Sequence, residues 1–141
     1  MIIAELNTIT DAQVQEVIGL MGELDPSISV TVEMVRRTVE ADNTHFFAVV
    51  DGEHIIGCAS LCVFDSPTGR KASVEDVVVA SAYRGQQIGK QLMHHVIEYA
   101  KTLAPISLQL TSRPERVEAN KLYQSLGFQK RETNAYRLEI I

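Results

Sequence analysis

Between Val77 and Lys90 the chain reads Val-Val-Val-Ala-Ser-Ala-Tyr-Arg-Gly-Gln-Gln-Ile-Gly-Lys: an apolar run, a short loop and the start of a helical repeat. Where a strand passes into a helix, the first N–H groups of the helix lack intrahelical partners, and the dipole adds partial positive charge there. Gly85 and Gly89 let the backbone approach a ligand with no Cβ in the way, and Arg84 and Lys90 add two cations. That chemistry suits a phosphate or pyrophosphate. The chain carries a net charge of −5, yet no Asp or Glu falls between Asp76 and Glu98, so this window is where an anion would be sought. An ordinary strand-to-helix turn uses the same residue types, and the loop alone leaves both readings open. Two nucleotide motifs are excluded. Gly-x-Gly-x-x-Gly is absent, and Gly89-Lys90 is followed by Gln91 rather than the Ser or Thr of a P-loop, with Gly85 one residue short of the required spacing.

Other reactive side chains are less organised. Glu75 and Asp76 are neighbours on the strand before the loop, so regular alternation sends them to opposite faces and puts Glu75 on the face of Val77 and Val79. Each is costly to bury among valines without a partner. Cys58 and Cys62 are four apart on one strand, too distant for an easy disulfide, and read as structural thiols. His45, His54, His94 and His95 show no metal-ligand spacing, and no metal site is expected. His94 and His95 are expected on the outer side of their helix.

These residues need elements to hold them. The pattern predicts a strand at Met1–Leu6, then a helix opened by the capping box of Thr10 and Gln13, with Val14, Val17, Ile18 and Met21 at helical spacing. A turn at Asp25-Pro26-Ser27 follows, then a helix capped by Thr31 with Val32, Val35 and Val39 facing inward. Strands at His45–Val50 and His54–Phe64 flank the hairpin signal Asp51-Gly52, and Lys71–Ala80 completes a meander. A helix is predicted over Gln86–Leu103, a strand over Ser107–Thr111 and a helix over Glu115–Leu126, stopped by Gly127. Two last strands are expected, from Phe128 onward and over Ala135–Ile141. The order predicts an α/β fold: a single mixed, mostly antiparallel sheet with helices on both faces.

At 141 residues, 45% hydrophobic and 22% charged, the chain suits one globular domain over residues 1–141. Acidity argues against nucleic acid as a partner. No apolar run approaches the ~20 residues of a membrane span, and Met1–Glu5 does not resemble a signal peptide. A cytoplasmic location is the expectation.

Arg84-Gly85-Gln86-Gln87-Ile88-Gly89 resembles the Arg/Gln-x-x-Gly-x-Gly/Ala element of the GNAT superfamily, the general N-acetyltransferases. Ala119-Asn120-Lys121-Leu122-Tyr123-Gln124-Ser125-Leu126-Gly127-Phe128 is similar to that family's second element, a tyrosine four residues before Gly-Phe. The order and separation of the two, and the strand Val74–Val79, also match, so the resemblance covers roughly residues 72–128. One departure is Gln87, where the family has its middle glycine; a residue entering a helix is expected to need no special dihedral there.

The resemblance implies a sheet whose central strand pair splays after Val79, with acetyl-CoA as co-substrate in the gap. Val77, Val78 and Val79 would offer backbone groups to its pantetheine arm, the amides of Arg84, Gly85, Gln86, Gln87, Ile88, Gly89 and Lys90 would hold its pyrophosphate, and Asn120 would contact it as well. It implies Tyr123 as general acid and a carboxylate base, for which Glu75 is the first choice; some relatives carry that carboxylate two residues earlier, where this chain has Ser73. The acceptor would be a primary amine on a small molecule or peptide, and a homodimer is the suggested assembly. The alternatives are an acyl-CoA sensor without turnover and an interaction module whose glycine loop is only a turn.

Overall fold

The computed structural model describes residues 1–141. The chain divides into two compact units, Met1–Leu110 and Thr111–Ile141.

The first unit is built on one five-stranded sheet in sequential order: β1 (Ile2–Glu5), β2 (Thr44–Asp51), β3 (His54–Ser66), β4 (Gly69–Val79) and β5 (Ser107–Gln109). The first four pair antiparallel, and β5 pairs parallel to β4. Three helices complete the unit: α1 (Asp11–Leu24), α2 (Val32–Glu40) and α3 (Ile88–Lys101).

Local chemistry accounts for the first helices. Thr10 Oγ1 accepts the Gln13 N–H at 3.1 Å while Gln13 Oε1 accepts the Thr10 N–H at 3.1 Å, a reciprocal cap. Thr31 Oγ1 accepts the Met34 N–H at 3.2 Å and opens α2. Arg36 ties the two helices together by donating to the Ile9 carbonyl and to the Asp11 carboxylate. Val35 and Val39 are buried as expected, but Val32, first in the helix, is 42% exposed.

Alternation on the strands sorts the two sheet faces. Phe46, Ala48, Cys58 and Val78 join Val14, Val17, Leu20, Val35 and Val39 in one cluster against α1 and α2. Phe47 points the other way, 5.5 Å ring to ring from His95 and 5.4 Å from Tyr99 on α3. His95 is therefore a packing residue, unlike the exposed His94. On α3 the expected stripe Ile88, Leu92, Val96 and Ala100 is buried, along with Met93. Each sealed side chain of the size of Leu92 or Val96 contributes about 1.5–3 kcal/mol.

The second unit holds α4 (Val117–Ser125) and then irregular chain. The two strands expected after Gly127 are not formed, and every residue from 129 to 141 is exposed. An apolar alternation names the side a strand would bury; it does not supply the neighbouring strand that makes it one. Other boundaries move by about two residues: α3 starts at Ile88 rather than Gln86, β5 stops at Gln109, and α4 starts at Val117.

Candidate active site

Strand β4 is held differently along its length. Its pairing with β5 is confined to Lys71, Ala72 and Ser73. From Val74 to Val79 only β3 runs beside it, so its other edge has no paired strand.

Within that stretch the strand is bulged. Glu75 lies opposite Ser60 and Val78 opposite Cys58, so Asp76 and Val77 share a single partner position at Ala59. Asp76 takes up the extra residue in a left-handed conformation, φ 53°. The bulge overturns the face expected for Glu75. It shares a face with Val78 and Cys58, the one covered by α1 and α2, while Val79 lies on the other, opposite Gly57.

Glu75 is exposed, and its Oε1 accepts a hydrogen bond from Ser73 Oγ at 2.7 Å. Ser73 thus orients the Glu75 carboxylate. Asp76 is exposed as a residue, but desolvation of its carboxyl, reinforced by the neighbouring Glu75 charge, raises its pKa. Burial, with a smaller effect of Asp76, pushes the Cys58 thiol up to about 12 and keeps it unreactive.

The loop after β4 begins with a 3-10 turn, Ser81–Tyr83. Gly85 then sits at φ 82° and Gln87 at φ 60°, and α3 begins at Ile88. Gln87 does need a special dihedral, one that glycine adopts at little cost, and this corrects the expectation for it. Unlike α1 and α2, α3 has no side chain capping its first turn. Its leading N–H groups are left for solvent or a ligand.

Four contacts shape this loop from outside it or across it. Arg84 Nε donates to the Val79 carbonyl at 3.3 Å, so that expected ligand-binding oxygen already has a partner. Glu23 on α1 accepts the Ser81 N–H at 3.0 Å and lies 3.9 Å from Arg84 Nη2. Tyr83 donates its hydroxyl to Asp51 at 3.0 Å, which raises the phenol's pKa. Glu23 was not singled out from the sequence, and Asp51 was read only as part of a hairpin turn. The acid-free window is bordered in space by two carboxylates that come from distant segments.

In the second unit, the Tyr123 ring is 7% exposed and packs edge-on against Phe128, 6.1 Å between centres. Burial raises its pKa, against a smaller lowering by Arg116, so the phenol stays protonated at neutral pH. Its hydroxyl bonds no other protein group. Asn120 donates from Nδ2 to the Arg113 carbonyl at 3.0 Å, bracing the start of α4. Ser112 Oγ is enclosed without a hydrogen-bond partner. Within the first unit, open N–H groups at α3 and an unpaired strand edge fit a ligand with phosphates and amides, as acetyl-CoA has.

A mixed sheet opened along its fourth strand, with a bare glycine-containing helix start after it, defines an acetyltransferase-type fold. The chain belongs to the Acetyltransferase (GNAT) family, whose pattern matches residues 17–128. Over 120 residues it is 28% identical to glucosamine 6-phosphate N-acetyltransferase of Arabidopsis thaliana, covering 78% of either chain. It is 32% identical over 87 residues to N-acetyltransferase 8B of Rattus norvegicus, covering 60% of this chain. The chain spans 39% to 42% of the length of that protein and two further rat relatives. Among solved structures, a putative acetyltransferase from Agrobacterium tumefaciens superposes with a TM-score of 0.85 at 18% identity, over 99% of this chain and 100% of that one. The Arabidopsis glucosamine-6-phosphate N-acetyltransferase structure superposes with a TM-score of 0.76 at 22% identity, covering 97% of each. These likenesses establish the fold. No helix is long and apolar enough to cross a membrane.

Proposed function

We propose that this chain is an acetyl-CoA-dependent N-acetyltransferase acting on a primary amine. One observation carries the reading: β4 loses its β5 partner after Ser73 and is joined by a glycine-containing loop to an uncapped helix start. An extended ligand with a pyrophosphate at one end matches that sequence of open groups. The reading treats residues 1–141 as one domain, since the family match runs through both units. A cytoplasmic location goes with it and rests on composition.

Acetyl-CoA, when bound, supplies a thioester carbonyl that a neutral amine can attack. The amides from Arg84 to Lys90 bind its pyrophosphate, the open edge at Val77–Val79 lines its amide arm, and Asn120 adds a contact. Glu75, oriented by Ser73, takes the proton released by the amine, directly or through water. Tyr123 gives a proton to the departing sulfur, a task suited by a phenol that burial keeps protonated.

Two relatives bear the name glucosamine 6-phosphate N-acetyltransferase, so that amino sugar phosphate heads the acceptor panel. Calorimetry with acetyl-CoA, followed by thiol release with amino sugars, amino acids, polyamines, aminoglycosides and peptides, tests the reading. Binding and turnover with one acceptor is the expected result. Binding without turnover across the panel identifies an acyl-CoA sensor, and no binding ends the proposal.

A further inference from the structure

The register of β4 decides which backbone groups reach its open edge. Ala80 donates its N–H to the Ile56 carbonyl at 2.8 Å, and Val78 pairs with Cys58. Val79 stands between them opposite Gly57, at the kind of position whose N–H and C=O point away from the partner strand in an antiparallel ladder. As the last residue of β4, it is also the one nearest the glycine loop.

The carbonyl of that residue is already engaged. Arg84 Nε donates to it at 3.3 Å, reaching back across the turn Ser81–Tyr83. The same guanidinium has Nη2 3.9 Å from Glu23 Oε1, the oxygen that accepts the Ser81 N–H. Arg84 therefore lies over the end of the strand, held by one long hydrogen bond and one solvent-screened ion pair, with its side chain 58% exposed. Gly85 and the uncapped start of α3 at Ile88 come next along the chain.

Two parts of an extended ligand thus compete for, or with, one side chain. An amide N–H lying along β4 needs the Val79 carbonyl, which Nε occupies. A diphosphate at the start of α3 offers the guanidinium a pair of charged oxygens that match its fork of donors. Such a pairing is stronger than one bond to a neutral carbonyl.

We propose that the Arg84 side chain is a latch on the open edge of β4. It closes the Val79 carbonyl in the free protein and releases it when a diphosphate draws the guanidinium away. The site then selects thioesters that carry a diphosphate over those that do not. This rests on the reading of the edge and loop as the acetyl-CoA site. Each end of the ligand favours the binding of the other, and the coupling is reciprocal.

Calorimetric titrations with three probes test the latch: acetyl-CoA, inorganic pyrophosphate, and S-acetylpantetheine, which has the thioester and the amides but no phosphate. Binding of acetyl-CoA to the wild type checks the underlying reading, and its absence overturns both. S-acetylpantetheine is expected to bind the wild type about 2- to 10-fold more tightly when pyrophosphate is saturating, the contribution of one released hydrogen bond. Arg84→Met keeps the backbone amide and the apolar stem but has neither the charge nor the donor. It should bind acetyl-CoA more weakly, bind S-acetylpantetheine more tightly, and lose the response to pyrophosphate. The side chain is exposed, so the melting temperature should stay within a few degrees of wild type. If both ligands weaken together in the variant, Arg84 only supports the loop. If S-acetylpantetheine binds the variant as it does the wild type, Arg84 is only a phosphate contact. Either result overturns the latch and leaves the acetyl-CoA site standing, as does a wild type whose affinity for S-acetylpantetheine ignores pyrophosphate.

Discussion

Glu23 accepts the backbone N–H of Ser81 across 58 positions of sequence, at 3.0 Å, and the same carboxylate lies 3.9 Å from the Arg84 guanidinium. It anchors the loop and offsets one of its two cations. Because the pair is solvent-accessible, its direct effect on stability is small. Its effect on an arriving anion is a separate matter, since the carboxylate lies beside the expected phosphate path.

Glu23→Gln keeps an oxygen for Ser81 and removes the charge. Acetyl-CoA is expected to bind about 2- to 5-fold more tightly at low salt, with the gain fading as screening rises. Calorimetry at two ionic strengths checks this. Weaker binding would mean that anchoring by the charged carboxylate matters more than repulsion.

Gln87 stands at φ 60°, where a Cβ crowds the backbone at a cost of roughly 1–2 kcal/mol. Glycine there relieves the strain but gives back part of the gain through a freer unfolded chain. Gln87→Gly is expected to raise the melting temperature by about 2–4 °C, and Gln87→Val to lower it. Thermal unfolding of the three proteins reads the difference.

Desolvation, with the charge of Glu75, raises the pKa of Asp76 in the folded state above its unfolded value. The folded state therefore holds this proton more tightly, and ionisation there opposes folding. The cost is absent below the ordinary aspartate range, grows as pH rises, and is complete above the raised folded pKa. Asp76→Asn removes it and suits a left-handed position, where Asn is well tolerated. The variant should melt higher than wild type at neutral pH, with the advantage vanishing in acid. A melting difference that does not change with pH would show that the charge is not its source.

Tyr123→Phe removes one oxygen that bonds no protein group and keeps the packed ring. Stability and acetyl-CoA affinity should hold, while turnover falls ~10²-fold or more. Part of the loss should return with a donor whose thiolate leaves more easily. Glu75→Gln should also slow turnover, by about ten- to a thousandfold, but without that donor dependence. Unchanged turnover in the tyrosine variant would leave Tyr123 as a packing residue alone.

Features set by near neighbours in sequence were readable from it. The caps at Thr10 and Thr31, the hairpin at Asp51-Gly52 and the buried stripe of α3 all depend on residues within a turn or two. So did the glycine loop and the strand leading into it. What escaped depends on distant partners. The bulge at Asp76 exists only in the register of β4 against β3, and it reversed the face assigned to Glu75. Glu23 and Asp51 reach the loop from α1 and from the end of β2. The strands expected after Gly127 failed for the same reason, because Tyr136, Leu138 and Ile140 specify a side and not a neighbour.

The uneven support of β4 has a consequence for how its amide protons trade with deuterium. Lys71, Ala72 and Ser73 lie between two strands, so deuterium should enter there slowly. From Val74 to Val79 the amides that point away from β3 have no strand to hold them and should label early. A single strand would then show a sharp kinetic boundary after Ser73. A molecule lying along the open edge would carry that boundary toward Val79, marking its own length on the backbone residue by residue.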